Sequence, residues 1–201
     1  MPNTITLTAA ALASALALAP MAQAQSAGDF TLGIGLIGVM PKSDNGDLAG
    51  FRSDVQDSVR PSITFEYFVR ENIGIEVLGA LPFEHDIKLG GVEAASTKHL
   101  PPTVSLQYHF ANASAFTPFL GAGINYTTFF EEDSPLGDLS IDDSWGLALH
   151  AGFDYAVSDT GAFRADVRWI DINSDVKLEG DKIGDVDIDP FTFGVSYIHR
   201  F

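Results

Sequence analysis

The chain has 201 residues, a mean hydropathy of +0.13 and a formal charge of -16, with 27 acidic against 11 basic side chains. That balance excludes nucleic acid as a partner, because phosphate binding needs clustered cations. The lack of cysteine excludes disulfides, thiolate nucleophiles and zinc–thiolate sites. A chain both apolar and this acidic has to keep the two characters in different places.

Residues 8–20 form an Ala/Leu-rich run followed by Ala22-Gln23-Ala24, a small-x-small cleavage site. This is the layout of a secretory signal peptide over residues 1–24, although Met1 to Thr8 carries no Lys or Arg. The run is too short to span a hydrocarbon core, which needs roughly 20 residues. The expected mature domain, 25–201, keeps every charge.

From there period-two alternation replaces any helical pattern. Strand one, residues 30–40, sets Phe30, Leu32, Ile34 and Leu36 against Thr31, Gly33 and Gly35. Strands follow at 62–69, 73–81, 103–110, 118–130 and 144–155, a seventh begins at Ala162, and an eighth runs from Phe191 through Tyr197. Connections alternate between short (70–72, 111–117, 157–161) and long (41–61, 82–101, 131–143, 173–187). The pattern predicts an all-β fold: an eight-stranded antiparallel transmembrane β-barrel with long extracellular loops and short periplasmic turns. A soluble sandwich or lipocalin-like barrel would also alternate, with its apolar face inward. Here the opposite face is rich in Gly, Ser, Thr and Asn, sized for a narrow interior. Aromatics such as Phe30, Tyr67, Phe110, Trp145, Tyr155, Phe163 and Tyr197 stand near the ends of the apolar face, as in an interfacial girdle. Phe201, with Tyr197, Val195 and Phe193 at the same parity, resembles the C-terminal assembly signal of bacterial outer-membrane proteins, which implies the barrel assembly machinery as a partner during biogenesis.

The four long connections hold 18 of the 27 acids and 7 of the 11 bases, and 131–143 alone carries six acids and no base. This reads as a solvated, self-repelling surface. Divalent-cation bridging to lipopolysaccharide phosphates is the alternative, but the spacing matches no calcium loop. Arg164 and Arg168 share inward parity with Glu66, Glu76, Asp154 and Asp166. A narrow lumen would desolvate them, so they are expected to pair as a charge cluster plugging the lower barrel, with a small polar pore as the alternative. His85, His99, His109, His150 and His199 are scattered without ligand-like spacing, so no metal or other cofactor is expected. His85 beside Asp86, His99 and Ser96 are the only candidates for an outer-rim catalytic group. A polar-loop histidine is a poor basis for one, and no enzyme is expected.

Lys98-His99-Leu100-Pro101-Pro102-Thr103 resembles the KHLPPT signature of the OmpW (OmpW/AlkL-like) family of outer-membrane proteins, and the run from Pro118 to Phe130 resembles its next motif. Ser144-Trp145-Gly146, Ala151-Gly152-Phe153-Asp154-Tyr155, Asp166-Val167-Arg168-Trp169 and Asp189-Pro190 follow in the family's order. The resemblance implies a Gram-negative outer-membrane barrel that binds and passively transports small hydrophobic molecules, with lateral release into the bilayer. A structural or stress-response envelope protein, or a surface receptor without a continuous channel, is the alternative. Its expected surroundings are outer-membrane lipid and lipopolysaccharide. Proline donates no ladder hydrogen bond, so Pro101 and Pro102 should interrupt pairing where strand four begins, across from Pro82. A lateral opening is therefore expected near this rim, lined by Leu81, Phe83, Leu100, Phe119 and Phe129.

Overall fold

The computed structural model describes residues 25–201; the signal-peptide reading of 1–24 lies outside the described residues. In chain order the strands are β1 (Phe30–Met40), β2 (Asp47–Leu48), β3 (Phe51–Val55), β4 (Ser58–Arg70), β5 (Ile73–Ala80), β6 (Phe83–Leu89), β7 (Val92–Leu100), β8 (Thr103–His109), β9 (Phe116–Asp133), β10 (Leu139–Ile141), β11 (Ser144–Ala156), β12 (Gly161–Ile170), β13 (Asn173–Leu178), β14 (Asp181–Asp187) and β15 (Phe191–Arg200).

Eight of them close on one another in the order β1-β4-β5-β8-β9-β11-β12-β15, and β15 returns antiparallel to β1. Ile34 illustrates the closure, standing opposite Ile63 on one side and Tyr197 on the other. Closure satisfies the backbone within the wall, which a bilayer requires. The outward face decides what the wall meets: Ile34 is 65% exposed, Trp145 72% and Val195 60%. A water-soluble barrel would bury such side chains; here they form the lipid-facing band. Tyr197, Phe163, Tyr155 and Phe116 stand in one cross-strand row at the lower rim. Tyr126 packs on Trp145 at 4.7 Å near the upper rim, ten residues along β9 from Phe116. Ten steps of about 3.3 Å, tilted by about 40°, rise about 25 Å, the height of an apolar outer-membrane band.

The long extracellular connections lie where the alternation places them, and they are themselves paired strands. The ladder β9-β7-β6-β3-β2-β14-β13-β10 stands above the barrel, and β10 packs back against β9. Three of its hairpins turn on two residues with positive φ: Ala49-Gly50 (51° and 81°), Gly90-Gly91 (58° and 87°) and Glu179-Gly180 (53° and 86°). This is the backbone of a type I′ turn, whose twist suits a tight hairpin. The crown's inner face carries Leu48, Val55, Ile87, Phe129, Val176 and Val186. They pack on Ala148, Ile170 and Ile172 at the top of the barrel wall, so an apolar core caps the lumen.

Candidate functional site

The lumen is layered. At the bottom Arg164, on β12, reaches across to β5, four strands away in either direction round the wall. Its Nη1 donates to Glu76 Oε2 at 2.8 Å, Nε to Asp154 Oδ1 at 2.7 Å, and Nη2 to Glu66 Oε2 at 3.2 Å. Arg168 Nη2 donates to the other Glu76 oxygen at 2.7 Å. Phe119 lies under the Arg164 guanidinium, 4.6 Å from ring centroid to Cζ. Glu66 also bonds His109 Nε2 at 2.8 Å and accepts from Gln107 Nε2 at 3.1 Å, while Gln107 Oε1 meets His150 Nε2 at 2.8 Å. The layer therefore unites Glu66, Glu76, Asp154, Arg164 and Arg168 and adds His109, Gln107 and His150. Asp166 faces the same lumen against Gly194. Room for these side chains comes from inward glycines: a Cβ on Gly74 would sit 2.2 Å from Glu66 Oε1, and one on Gly121 would sit 2.0 Å from His150 Nε2.

Above this layer the wall changes. The β5–β8 ladder ends at Leu78 opposite Thr103, and the β6–β7 ladder resumes at Phe83 opposite His99. Between them no register pair joins residues 79–82 to 100–102. Each lip of this seam is held by its other neighbour. On one side Gly79 and Ala80 remain paired with β4, Leu81 N–H donates to Pro61 O at 2.9 Å, and Pro82 O accepts from Arg60 Nε at 2.8 Å. On the other, Pro101 O accepts from Asn125 Nδ2 at 3.0 Å, Pro102 O from Tyr126 N–H at 3.1 Å, and Leu100 pairs with Thr128. Pro82, Pro101 and Pro102 bring no N–H to satisfy. The break thus leaves these groups satisfied without any bond across it.

Directly above the seam, inward residues of β6, β7 and β9 form an aromatic stack. Phe83 lies on His99 (5.4 Å), His99 on His85 (4.8 Å, rings 10° apart), and Phe129 against His99 (5.7 Å). These residues stand above the Tyr126–Trp145 girdle. Burial holds both imidazoles below the ordinary histidine range, and at His99 the neighbouring His85 pushes the same way. His85 Nδ1 bonds Gln56 O. Higher still, a narrow recess of about 30 Å³ is walled mainly by Leu48, Ile87, Leu139, Val176 and Ile183.

The residues anticipated at the opening divide. Leu81, Pro82, Leu100, Pro101 and Pro102 form the lips, and Phe83 and Phe129 stand just above them. Phe119 is placed elsewhere, 2% exposed in the charged layer, because its register with His109 and Gly152 sets it low on β9. Sequence reasoning missed Asn125, Tyr126 and Arg60 as the groups that satisfy the seam's carbonyls. It also passed over His85 and His99 as lumen side chains, although Phe83, His85, Ile87 and Leu89 share one parity. Ser96 pairs with Asp86, on the parity opposite His85 and His99, so these groups do not converge as a catalytic set.

The OmpW family model matches residues 26–201. Outer membrane protein W of Escherichia coli strain K12 is 38% identical over 211 residues, covering 97% of this chain and 99% of that protein. The crystal structure of the outer membrane protein OprG from Pseudomonas aeruginosa superposes with a TM-score of 0.77 at 33% identity, covering 88% of this chain and 97% of OprG. More distant are outer membrane protein AlkL of Ectopseudomonas oleovorans (27% identical; 73% of this chain, 69% of that one) and dibenzothiophene metabolism operon protein PahQ of Pseudomonas aeruginosa (25%; 63% and 62%).

Proposed function

The chain belongs to the OmpW family and is a β-barrel of the Gram-negative outer membrane, and we propose that it passively transports small hydrophobic molecules, releasing them sideways into the bilayer. The observation that carries this is the seam. It breaks the ladder between a buried apolar cluster above and a cross-lumen charged layer below, which supports a sideways exit at this height. An apolar solute entering through the crown would meet Phe83 and Phe129, find the straight way closed by Arg164 and its carboxylates, and have lipid beside it at the lips. Desolvating an ionic layer is costly, whereas passing from apolar side chains into acyl chains is not. No cofactor and no catalytic step is needed. PahQ's name, which places that relative in a dibenzothiophene metabolism operon, agrees in solute chemistry. In this reading the apolar band meets outer-membrane lipid, the acidic crown faces the lipopolysaccharide leaflet, and the C-terminal aromatics engage the assembly machinery.

The test is the double variant Pro101→Thr, Pro102→Thr, which restores N–H groups to one lip. Uptake of a labelled apolar solute by a deletion strain complemented with this variant should fall below the wild-type rate. Unchanged uptake, with the barrel folded by its heat-dependent gel mobility, would overturn lateral release. A role as envelope scaffold or receptor predicts no protein-dependent uptake at all.

A further inference from the structure

The His85–His99 pair does not fit a purely hydrocarbon path. His99 is 1% exposed and neither of its ring nitrogens has a hydrogen-bond partner in the protein; His85 is 2% exposed and its Nε2 has none. Leaving a buried polar group unpaired is costly, and phenylalanine, already used at 83 and 129, would fill such a stack without that cost. The pair's hydrogen-bonding capacity can be written down. The Gln56 carbonyl can only accept, so His85 Nδ1 carries the proton and the neutral ring presents Nε2 as an acceptor. Neutral His99 presents one donor and one acceptor.

These valences do not suit a metal ion. The rings lie 10° from parallel and face to face, so their in-plane lone pairs do not converge, and among the described residues no group of three or more His, Cys, Asp or Glu could hold a metal. They do not suit an anion either. Arg60, the cation acting on His85, is already bonded to Pro82 O and Glu84. A hydroxyl, at once donor and acceptor, is the complementary group.

We propose that the unpartnered nitrogens of His85 and His99 form a polar station in the apolar path that recognises the single neutral hydroxyl of an otherwise apolar molecule, a long-chain alcohol or a phenol. This rests on the transport reading and narrows its solute class. In passing, the apolar part would displace packed side chains such as Ile87 or Phe83 on its way to the seam below, while the hydroxyl meets the imidazoles.

The experiment compares 1-decanol with decane, each isotope-labelled and well below saturation, in a deletion strain carrying wild type, His99→Phe or His99→Gln. One hydrogen bond corresponds to roughly 3–10-fold in rate. His99→Phe should lower protein-dependent decanol uptake by about that factor and leave decane uptake unchanged, and His99→Gln, which keeps a donor and an acceptor, should restore the preference. His85→Phe serves the same comparison if His99→Phe does not fold by heat-dependent gel mobility. Equal effects on both solutes, or no effect on either, would overturn the station while leaving transport standing. Wild-type uptake of neither solute would remove the transport reading and the station together.

Discussion

Arg164 gives the sharpest test of the charged layer. Replacing it with Met keeps an apolar stem of similar reach but withdraws the one cation shared by Glu66, Glu76 and Asp154, which are 1%, 2% and 7% exposed. Breaking a buried ion pair by removing one partner typically costs about 3–5 kcal/mol, because the other charge is left without compensation. Here three carboxylates lose a partner. Glu76 keeps Arg168 at 2.7 Å and Glu66 keeps Gln107 and His109, so Asp154 is the group left most exposed to the loss. The expected destabilisation is therefore within about 3–5 kcal/mol, not three times that. Urea-driven unfolding from lipid vesicles, followed by the fluorescence of Trp145 and Trp169, measures it. A second variant adds Asp154→Asn and Glu66→Gln to Arg164→Met, removing the uncompensated charges, and should recover most of the loss. Planar-bilayer recordings of the single variant should also show greater ionic conductance than wild type, since one of the two arginines that cross the lumen to Glu76 is gone. A loss below about 1 kcal/mol, the range of an exposed pair, would refute the view that this layer is a desolvated network. So would a triple variant no more stable than the single one.

Two further outcomes follow from the crown. Burial lowers the folded-state values of His85 and His99 below the ordinary 6.5, so the unfolded segment binds protons first. Crown stability should be complete above about pH 6.5 and fall as pH drops below it, by up to about 1.4 kcal/mol per histidine per pH unit. Hydrogen exchange of β6–β7 amides, corrected for intrinsic rates, should then show lost protection at pH 5, and the double variant His85→Phe, His99→Phe should abolish that dependence; pH-independent protection in wild type would contradict it. Gly180→Val places a β-branched side chain at φ 86° in the β13–β14 turn. It should cost about 1–2 kcal/mol locally, seen as faster protease cleavage in residues 173–187 with barrel gel mobility unchanged; wild-type protease resistance would count against the turn's role.

The barrel strands were legible because a wall with lipid on one side and a crowded lumen on the other enforces strict alternation, as in Phe30 to Leu36. Parity likewise placed Arg164 and Glu66 on one face. Height was not legible: Phe119 and Phe129 share parity, yet one lies under Arg164 and the other against His99. Height depends on inter-strand stagger, which is a property of the closed barrel rather than of any single strand. The crown hairpins were hidden for another reason. Their segments are short and charged, and only Ala49-Gly50, Gly90-Gly91 and Glu179-Gly180 mark the turns. His85 and His99 look like loop residues until β6 and β7 pair and turn both rings inward.

The seam has one more consequence. A gap between strands is usually adhesive, since free amides and carbonyls invite a neighbouring chain to add itself as another strand. Here three prolines remove donors, and the carbonyls of Pro82, Pro101 and Pro102 are already taken by Arg60, Asn125 and Tyr126. Barrels crowded in one membrane can therefore carry this seam without zipping together through it, and in the lateral-release reading proposed above a solute would cross it without competing for those carbonyls.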